Sequence, residues 1–136
     1  MTKFIINTDG AARGNPGPAG LGVVIKNDAG EIVAEIAKYF GEATNNQAEY
    51  AALLEALKKA VELKCSDVEL RLDSELVVNQ LKGIYKVKHE GLKPLFEEAK
   101  GLLRKFGTCN IKHVVREKNK EADKLANKAI DEHFNK

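Results

Sequence analysis

The chain of 136 residues has no tryptophan, one methionine, two cysteines and three prolines, and only 6% of its residues are aromatic. No apolar run approaches the roughly 20 residues that a membrane-spanning helix needs, and no charged-then-apolar leader opens the chain. The 43% content of hydrophobic residues excludes disordered and collagen-like classes. We therefore expect a soluble, cytoplasmic protein in which residues 1–136 form a single domain.

The two cysteines, Cys65 and Cys109, are far apart in the sequence and flank predicted strands. In a reducing cytosol both should be free thiols, although a disulfide between them remains an alternative because some intracellular thermophile proteins use such bonds. A metal role is disfavoured, because neither cysteine has a Cys or His partner at the spacing of metal ligands.

The net charge of +2 alone gives little support for binding to nucleic acid, but the charges are unevenly distributed. Residues 82–120 contain eleven lysines and arginines and only four acids, whereas the preceding part of the chain has an excess of acids. This asymmetry suits a protein that holds cations in one place and phosphates in another. Ordinary solvated helix faces are the alternative, and charge alone does not exclude them.

The hydrophobic pattern predicts an α/β fold with the element order βββ-α-β-α-α-β-α. The predicted strands cover residues 3–9, 21–27, 31–40, 67–73 and 109–115, with a Gly/Pro loop at 11–20. The first three strands should form an antiparallel meander, while the last two need crossovers and should run parallel to the first.

The predicted helices begin at residues that can cap them. Thr44 and Gln47 fit a capping box for a helix that continues to about Leu63. Ser74 caps a short helix that ends near Gly83, apolar residues repeat with helical spacing from 92 to 106, and Asn119 can cap a last helix through about residue 132.

Four acids lie at positions where the pattern calls for apolar or capping residues: Asp9, Glu49, Asp73 and Asp123. The first and third end predicted strands that should be parallel neighbours, so both should reach one edge of the sheet, where open α/β sheets generally bind ligands. Glu49 is on the helix face that packs on the sheet, and Asp123 is one turn into the last helix.

Each acid also has a structural interpretation. An acid in the first turn of a helix interacts favourably with the helix dipole, which could explain Glu49 or Asp123. An aspartate before Gly or Ser is often a turn or cap residue. Four acids at one predicted site favour the functional interpretation, because clustered carboxylates repel each other unless a cation neutralises them.

Hard oxygen ligands suit Mg²⁺ or Mn²⁺ better than zinc. Two such ions about 3.5–4 Å apart would stabilise the attacking and leaving oxygens of an in-line displacement at phosphorus. The acids therefore predict a metal-dependent phosphodiester hydrolase.

Four segments resemble the type 1 ribonuclease H family: TDGAARGNPGPAG (8–20), TNNQAEYAALLEAL (44–57), LRLDSELVV (70–78) and NKEADKLANKA (119–129). The resemblance spans essentially the whole chain. It implies a ribonuclease H-like fold, a five-stranded mixed sheet of order 3-2-1-4-5 with helices on both faces. It also implies endonucleolytic cutting of the RNA strand in RNA–DNA hybrids, leaving 5′-phosphate and 3′-hydroxyl ends.

The resemblance also assigns roles to residues. All four acids match the family's catalytic, metal-binding acids. The resemblance implies that they bind two Mg²⁺ ions, with Mn²⁺ as a possible substitute. Asn15, Asn45 and Asn46 match residues that contact the hybrid, the last two reading 2′-hydroxyls and base edges in the minor groove. Thr44 matches a residue that meets a DNA-strand phosphate, and helix capping is the alternative role for the Asn pair.

Two features depart from the family pattern. Many members carry a loop histidine about ten residues before the last aspartate, and His113 has that spacing, but its strand pattern favours a core or edge position. Arg116 could serve instead. The chain also has no Trp-rich basic protrusion and no preceding hybrid-binding module, so we expect a compact monomer with salt-sensitive binding.

Three other hypotheses remain open. The chain could be a binding module of the same fold, although such a module should have lost an acid. It could be a nuclease of the same fold acting on single-stranded DNA or double-stranded RNA, or a domain of a larger polymerase, which a start at Met1 disfavours.

Overall fold

The structure is a computed structural model that describes residues 2–135, which contain five strands and four α-helices. The strands are β1 (Lys3–Ala12), β2 (Gly17–Asn27), β3 (Ile32–Ala43), β4 (Asp67–Leu72) and β5 (Thr108–His113). The helices are α1 (Asn45–Glu62), α2 (Glu75–Leu81), α3 (Lys93–Leu103) and α4 (Lys120–Phe134), with a 3₁₀ turn at Arg116–Lys118 before α4. Within this part of the chain, no helix is long and apolar enough to cross a membrane.

The strands form one mixed sheet in the order β3-β2-β1-β4-β5. The pairs β1–β2 and β2–β3 are antiparallel, whereas β1–β4 and β4–β5 are parallel. Helix α1 packs on β1 and β2 and also contacts α3, while α4 packs on β1, β2 and β3. The predicted fold class is therefore confirmed, and the carboxyl ends of β1 and β4 share one edge of the sheet.

Alternation along the strands places one set of side chains in the main core. Ile6 of β1, Val23 of β2 and Leu70 of β4 are fully buried, and they belong to one cluster with Leu53 and Leu57 of α1. Burying a side chain of this size contributes roughly 1.5–3 kcal/mol. This core fixes the position of α1 against the sheet, and with it the position of any polar residue on the buried face of α1.

The second face of the sheet depends on glycine. A Cβ atom at Gly22 would lie 1.9 Å from the carbonyl oxygen of Ala122, and one at Gly20 would lie 2.1 Å from that of Ala126. Helix α4 therefore contacts the backbone of β2 directly. The predicted loop at 11–20 is confirmed only for residues 13–16, because β1 continues to Ala12 and β2 begins at Gly17, so Gly17 and Gly20 are strand residues.

Two further sequence predictions concern β5 and the cysteines. Strand β5 ends at His113 rather than at Val115, because the chain turns into the 3₁₀ segment. Cys65 and Cys109 are both free thiols, as predicted. The pKa of each thiol is raised, chiefly by burial, so neither has the character of a reactive thiolate.

Candidate active site

Asp9 and Asp73 are neighbours at the point where the parallel ladder between β1 and β4 ends. The last pair of that ladder joins Thr8 to Leu72, so the next residue along each chain segment is an aspartate. Strand β1 itself continues beyond Asp9 because its other edge pairs with β2, where Asp9 lies opposite Gly22. The prediction that Asp9 ends its strand is wrong, but the two acids do reach the same edge of the sheet.

Glu49 belongs to α1 and is only 8% exposed. Its Oε1 atom accepts a hydrogen bond of 3.0 Å from the backbone N–H of Gly10. A Cβ atom at Gly10 would lie 2.1 Å from the backbone of Ala48, so only glycine allows the helix to approach the strand this closely. The first turn of α1 contains no acid, so stabilisation of the helix dipole does not account for Glu49.

These three acids form a tight cluster, in which one carboxylate oxygen each of Asp9, Glu49 and Asp73 lies within 4.8 Å of the other two. Burial, reinforced by the charge of Asp73, raises the pKa of Asp9 to about 7. Burial and then the charge of Asp9 raise the pKa of Glu49 well above its ordinary value. Within residues 2–135 no lysine or arginine forms an ion pair with any of the three.

The cluster has the chemistry of a divalent-cation site. Carboxylate oxygens are hard ligands of the kind that Mg²⁺ and Mn²⁺ prefer, and buried carboxylates without a cationic partner are costly. The cluster opens into a cleft of about 450 Å³. The residues that line the cleft are Asp9, Gly10, Ala11, Ala12, Arg13, Asn45, Glu49, Asp73, Arg116, Asp123 and Asn127.

Asp123 lies in the same cleft but outside the tight cluster. It is in the first turn of α4, and 31% of its side chain is exposed. Asn127 Nδ2 donates to its backbone oxygen at 3.0 Å and to its Oδ1 at 3.2 Å, and Arg116 Nη2 is 4.0 Å from Oδ1. The position in the first turn is favourable for an acid, so the structural role suggested by the sequence applies to Asp123 as well.

The four predicted substrate residues surround the start of α1. Thr44 is the N-cap of α1: its Oγ1 accepts from Gln47 N at 3.2 Å, and its own N–H donates to Gln47 Oε1 at 2.9 Å. Asn45 N–H donates to Asn15 Oδ1 at 3.1 Å, and Asn45 Oδ1 accepts from Ala12 N at 3.0 Å. Because Thr44 supplies the cap, the alternative capping role of the Asn pair is wrong.

A second cleft, of about 390 Å³, also adjoins the start of α1. Asn15, Thr44 and Asn46 line it together with Lys86, Lys88 and other residues of the segment before α3. The basic segment singled out in the sequence therefore faces the predicted polar residues at the start of α1.

The two residues suggested for the loop position are placed differently. His113 is the exposed last residue of β5, an edge strand, and its Nε2 is 3.3 Å from the backbone oxygen of Asp73. Arg116, in the 3₁₀ turn, has a side chain that is 81% exposed and lines the cleft of the acids. Of the two, only Arg116 lines that cleft.

The sequence did not identify two asparagines of α4 and its flank. Asn119 was predicted to cap α4, but its side chain makes no capping bond; it donates instead to the Thr8 carbonyl oxygen at 2.9 Å and to Asp73 Oδ2 at 3.1 Å. Asn127 contacts Asp123 and also accepts from Arg13 Nη2 at 3.3 Å. The one available signal was position, since these asparagines lie four residues before and after Asp123.

Comparisons with known proteins identify the family of the chain. The family model described as reverse transcriptase-like matches residues 7–129. Ribonuclease H of Clostridium botulinum is 38% identical over 148 residues, covering 97% of this chain and 98% of its own length. Ribonuclease HI of Halobacterium salinarum is 48% identical over 124 residues, 91% of this chain and 62% of its own length.

Among solved structures, LC11-RNase H1 in complex with an RNA/DNA hybrid superposes with a TM-score of 0.91 at 44% identity, covering 96% of this chain and 99% of that one. The fold is that of the ribonuclease H-like class of proteins, and the cluster of Asp9, Glu49 and Asp73 could hold a metal ion. Within that class, the chain belongs to the type 1 ribonuclease H family. It spans between 36% and 62% of the length of the first four curated relatives that it matches.

Proposed function

We propose that the chain is an endoribonuclease that hydrolyses the RNA strand of RNA–DNA hybrids and leaves 5′-phosphate and 3′-hydroxyl ends. The observation that carries this proposal is the cluster of Asp9, Glu49 and Asp73 in a cleft shared with Asp123. Support also comes from membership of the ribonuclease H family and from the relative whose structure contains an RNA/DNA hybrid.

The four acids are proposed to hold two Mg²⁺ ions, with Mn²⁺ as a substitute. When bound, such ions lower the pKa of a water molecule and stabilise the charge that develops on phosphate oxygens. The chain itself holds the carboxylates close together at a largely buried site, so that binding of a cation relieves their mutual repulsion. Asp123 supplies a fourth carboxylate at the more exposed side of the cleft.

The residues at the start of α1 are proposed to bind the hybrid. The bonds of Asn45 to Asn15 and to the backbone of Ala12 fix the segment before β2 against α1. No hydrogen bond within residues 2–135 uses the Nδ2 donors of Asn45, so we propose that they donate to a ligand. Amides that donate and accept suit the 2′-hydroxyl, which distinguishes RNA from DNA. Asn46 and Thr44 line the second cleft beside two lysines, where a phosphate of the other strand would be favoured.

Arg116 is proposed as the residue that assists at the exposed side of the cleft, because its exposed guanidinium lies 4.0 Å from Asp123 Oδ1. His113 is the weaker candidate, since its ring contacts a backbone oxygen and lies outside the cleft lining. We further propose that residues 1–136 act as one catalytic domain and as a monomer; the cytoplasmic location stays a prediction.

A substrate panel tests the proposed function. Purified protein is incubated with a labelled RNA–DNA hybrid, double-stranded RNA, double-stranded DNA and single-stranded DNA, each with Mg²⁺, Mn²⁺ or chelator. We expect cutting of the hybrid's RNA strand that requires metal and is lost in Asp73→Asn. Tight binding of hybrid without cutting in either metal would favour a binding module, and preferred cutting of another substrate would overturn the proposed substrate class.

A further inference from the structure

Asn119 is a buried side chain whose amide links three parts of the molecule. The residue is 1% exposed. Its Nδ2 donates to the Thr8 carbonyl oxygen at 2.9 Å and to Asp73 Oδ2 at 3.1 Å, while its Oδ1 accepts from Asn7 Nδ2 at 2.9 Å. Both amide hydrogens are therefore used. The reverse orientation of the amide would bring oxygen against two oxygens, so the network fixes which way the side chain faces.

The backbone of Asn119 is equally engaged. Its N–H donates to the Arg116 carbonyl oxygen at 3.0 Å, and its own carbonyl oxygen accepts from Asp123 N at 3.1 Å. The residue thus joins the end of the β1–β4 ladder, the carboxylate after β4 and the first turn of α4. Asp73 and Asp123 are hydrogen-bonded to Asn119, and Asp9 follows Thr8, which is also bonded to it.

Asp73 needs such a partner more than its neighbours do. It lies beyond the last paired residue of β4 and is only half-buried, so its side chain could rotate towards solvent, away from the repulsion of Asp9 and Glu49. A hydrogen bond to an ionised carboxylate is stronger than one between neutral groups. A neutral amide holds the carboxylate in place and leaves its negative charge available to a cation. A lysine in the same position would neutralise that charge.

We propose that Asn119, supported by Asn7, is a positioning residue that holds the Asp73 carboxylate in the orientation required by the acidic cluster. This inference rests on the proposed function. Residues that hydrogen-bond metal ligands from behind typically change metal affinity or activity by 10- to 100-fold when removed. Asn119 does not itself line the cleft of the acids, and the one carboxylate of that cleft to which its side chain donates is that of Asp73 among the described residues 2–135, so its side chain acts on the cluster through Asp73.

Asn7 supplies an independent way to perturb the same contact. It is half-buried and lines a small cleft of about 190 Å³ on the α4 side of the sheet, together with Lys26, Arg71 and other residues. Among the described residues 2–135, the Asn7 amide is the one group that donates a hydrogen bond to Asn119 Oδ1. Removing it leaves both donors of Asn119 in place but frees the amide to rotate, so a milder effect in the same direction is expected.

The test compares Asn119→Ala and Asn7→Ala with a control, Asn110→Ala, an exposed asparagine of β5. Three quantities are measured for each protein: kcat and KM on an RNA–DNA hybrid, the Kd for Mn²⁺ by calorimetry without substrate, and the melting temperature in chelator. For Asn119→Ala we expect kcat to fall and the Mn²⁺ Kd to rise by about 10- to 100-fold, with KM within about twofold of wild type. Asn7→Ala should show smaller changes in the same direction, and the control none.

A purely structural role would lower the melting temperature while leaving kcat and the Mn²⁺ Kd of the folded protein unchanged, and that result would overturn the proposal. If Asn119→Ala does not fold, Asn7→Ala decides, because unchanged Mn²⁺ affinity in a folded Asn7→Ala would overturn it equally. If the wild type does not cut hybrid, the proposed function fails, and the Mn²⁺ titration still judges the positioning role. A wild type that binds no Mn²⁺ would contradict both.

Discussion

The substitution Asp9→Asn should stabilise the metal-free protein at neutral and alkaline pH. Asp9 is 5% exposed, and burial beside Asp73 raises its pKa from 3.8 to about 7. Because Asp9 holds its proton more tightly in the folded state than in the unfolded state, the contribution of Asp9 to stability is most favourable at low pH. It decreases as the pH rises from about 4 to about 7, and the loss is complete above 7.

The size of the effect follows from that difference in pKa. At 1.36 kcal/mol for each tenfold change in proton affinity, it corresponds to about 4 kcal/mol above pH 7. We expect Asn119 and the remaining acids to keep their places in the variant. Because the pKa of Glu49 is raised as well, the two neighbouring acids share part of this loss of stability, and we expect a gain in the free energy of unfolding of about 2–4 kcal/mol. For a chain of this length, that is roughly 10 °C in melting temperature.

Thermal unfolding in chelator at pH 5.5 and pH 8, followed by circular dichroism, measures this gain. Asp28→Asn is the matched control, because Asp28 is an exposed turn residue of the same charge. The wild type should lose stability between the two pH values, and Asp9→Asn should lose less. The reasoning is refuted if Asp9→Asn melts below the wild type at pH 8, or if the control shows the same gain.

Two further substitutions, one of them with a matched control, test the packing around the site. Thr8 Oγ1 is buried without a hydrogen-bond partner in residues 2–135, so Thr8→Val should raise the free energy of unfolding in urea by about 1 kcal/mol; a decrease would mean that the hydroxyl is in fact bonded, for example to water. Gly22→Ala would place a Cβ atom 1.9 Å from the Ala122 carbonyl oxygen, so it should lower that free energy by at least about 1–3 kcal/mol. Gly101→Ala in α3, where nothing lies within 4 Å, should instead be neutral or stabilising by up to about 1 kcal/mol; equal losses in both glycine variants would show that close contact with α4 is not the cause.

Local patterns in the sequence predicted local structure well. The capping box of Thr44 and Gln47 depends on residues three apart, and both of its hydrogen bonds are present. Strand alternation and the need for crossovers predicted the directions of β4 and β5 relative to β1. The approach of Asp9 to Asp73 then followed from topology, because carboxyl ends of neighbouring parallel strands share an edge.

The failures concern features that depend on distant parts of the chain. Asn119 has the local pattern of a helix cap, but its side-chain partners are 111 and 46 residues away, so no local signal could indicate its contact with Asp73. The segment at 11–20 has the composition of a loop, yet Gly20 is a residue of β2. It is a glycine because α4 packs so closely on β2 that no side chain fits there. In this chain Gly10, Gly20 and Gly22 mark close contact between a strand and a helix rather than a turn.

Hydrolysis and binding of the same labelled RNA–DNA hybrid by wild type and Asp73→Asn, measured side by side in Mg²⁺, test the central claim most directly. The account predicts that the wild type cuts the RNA strand, and that Asp73→Asn binds hybrid with a similar Kd and unchanged melting temperature but does not cut. A variant that keeps full activity would contradict the assignment of the acidic cluster as the catalytic site. A variant that unfolds in metal-free buffer would contradict the assignment too, because replacing a repelled carboxylate should not destabilise the fold.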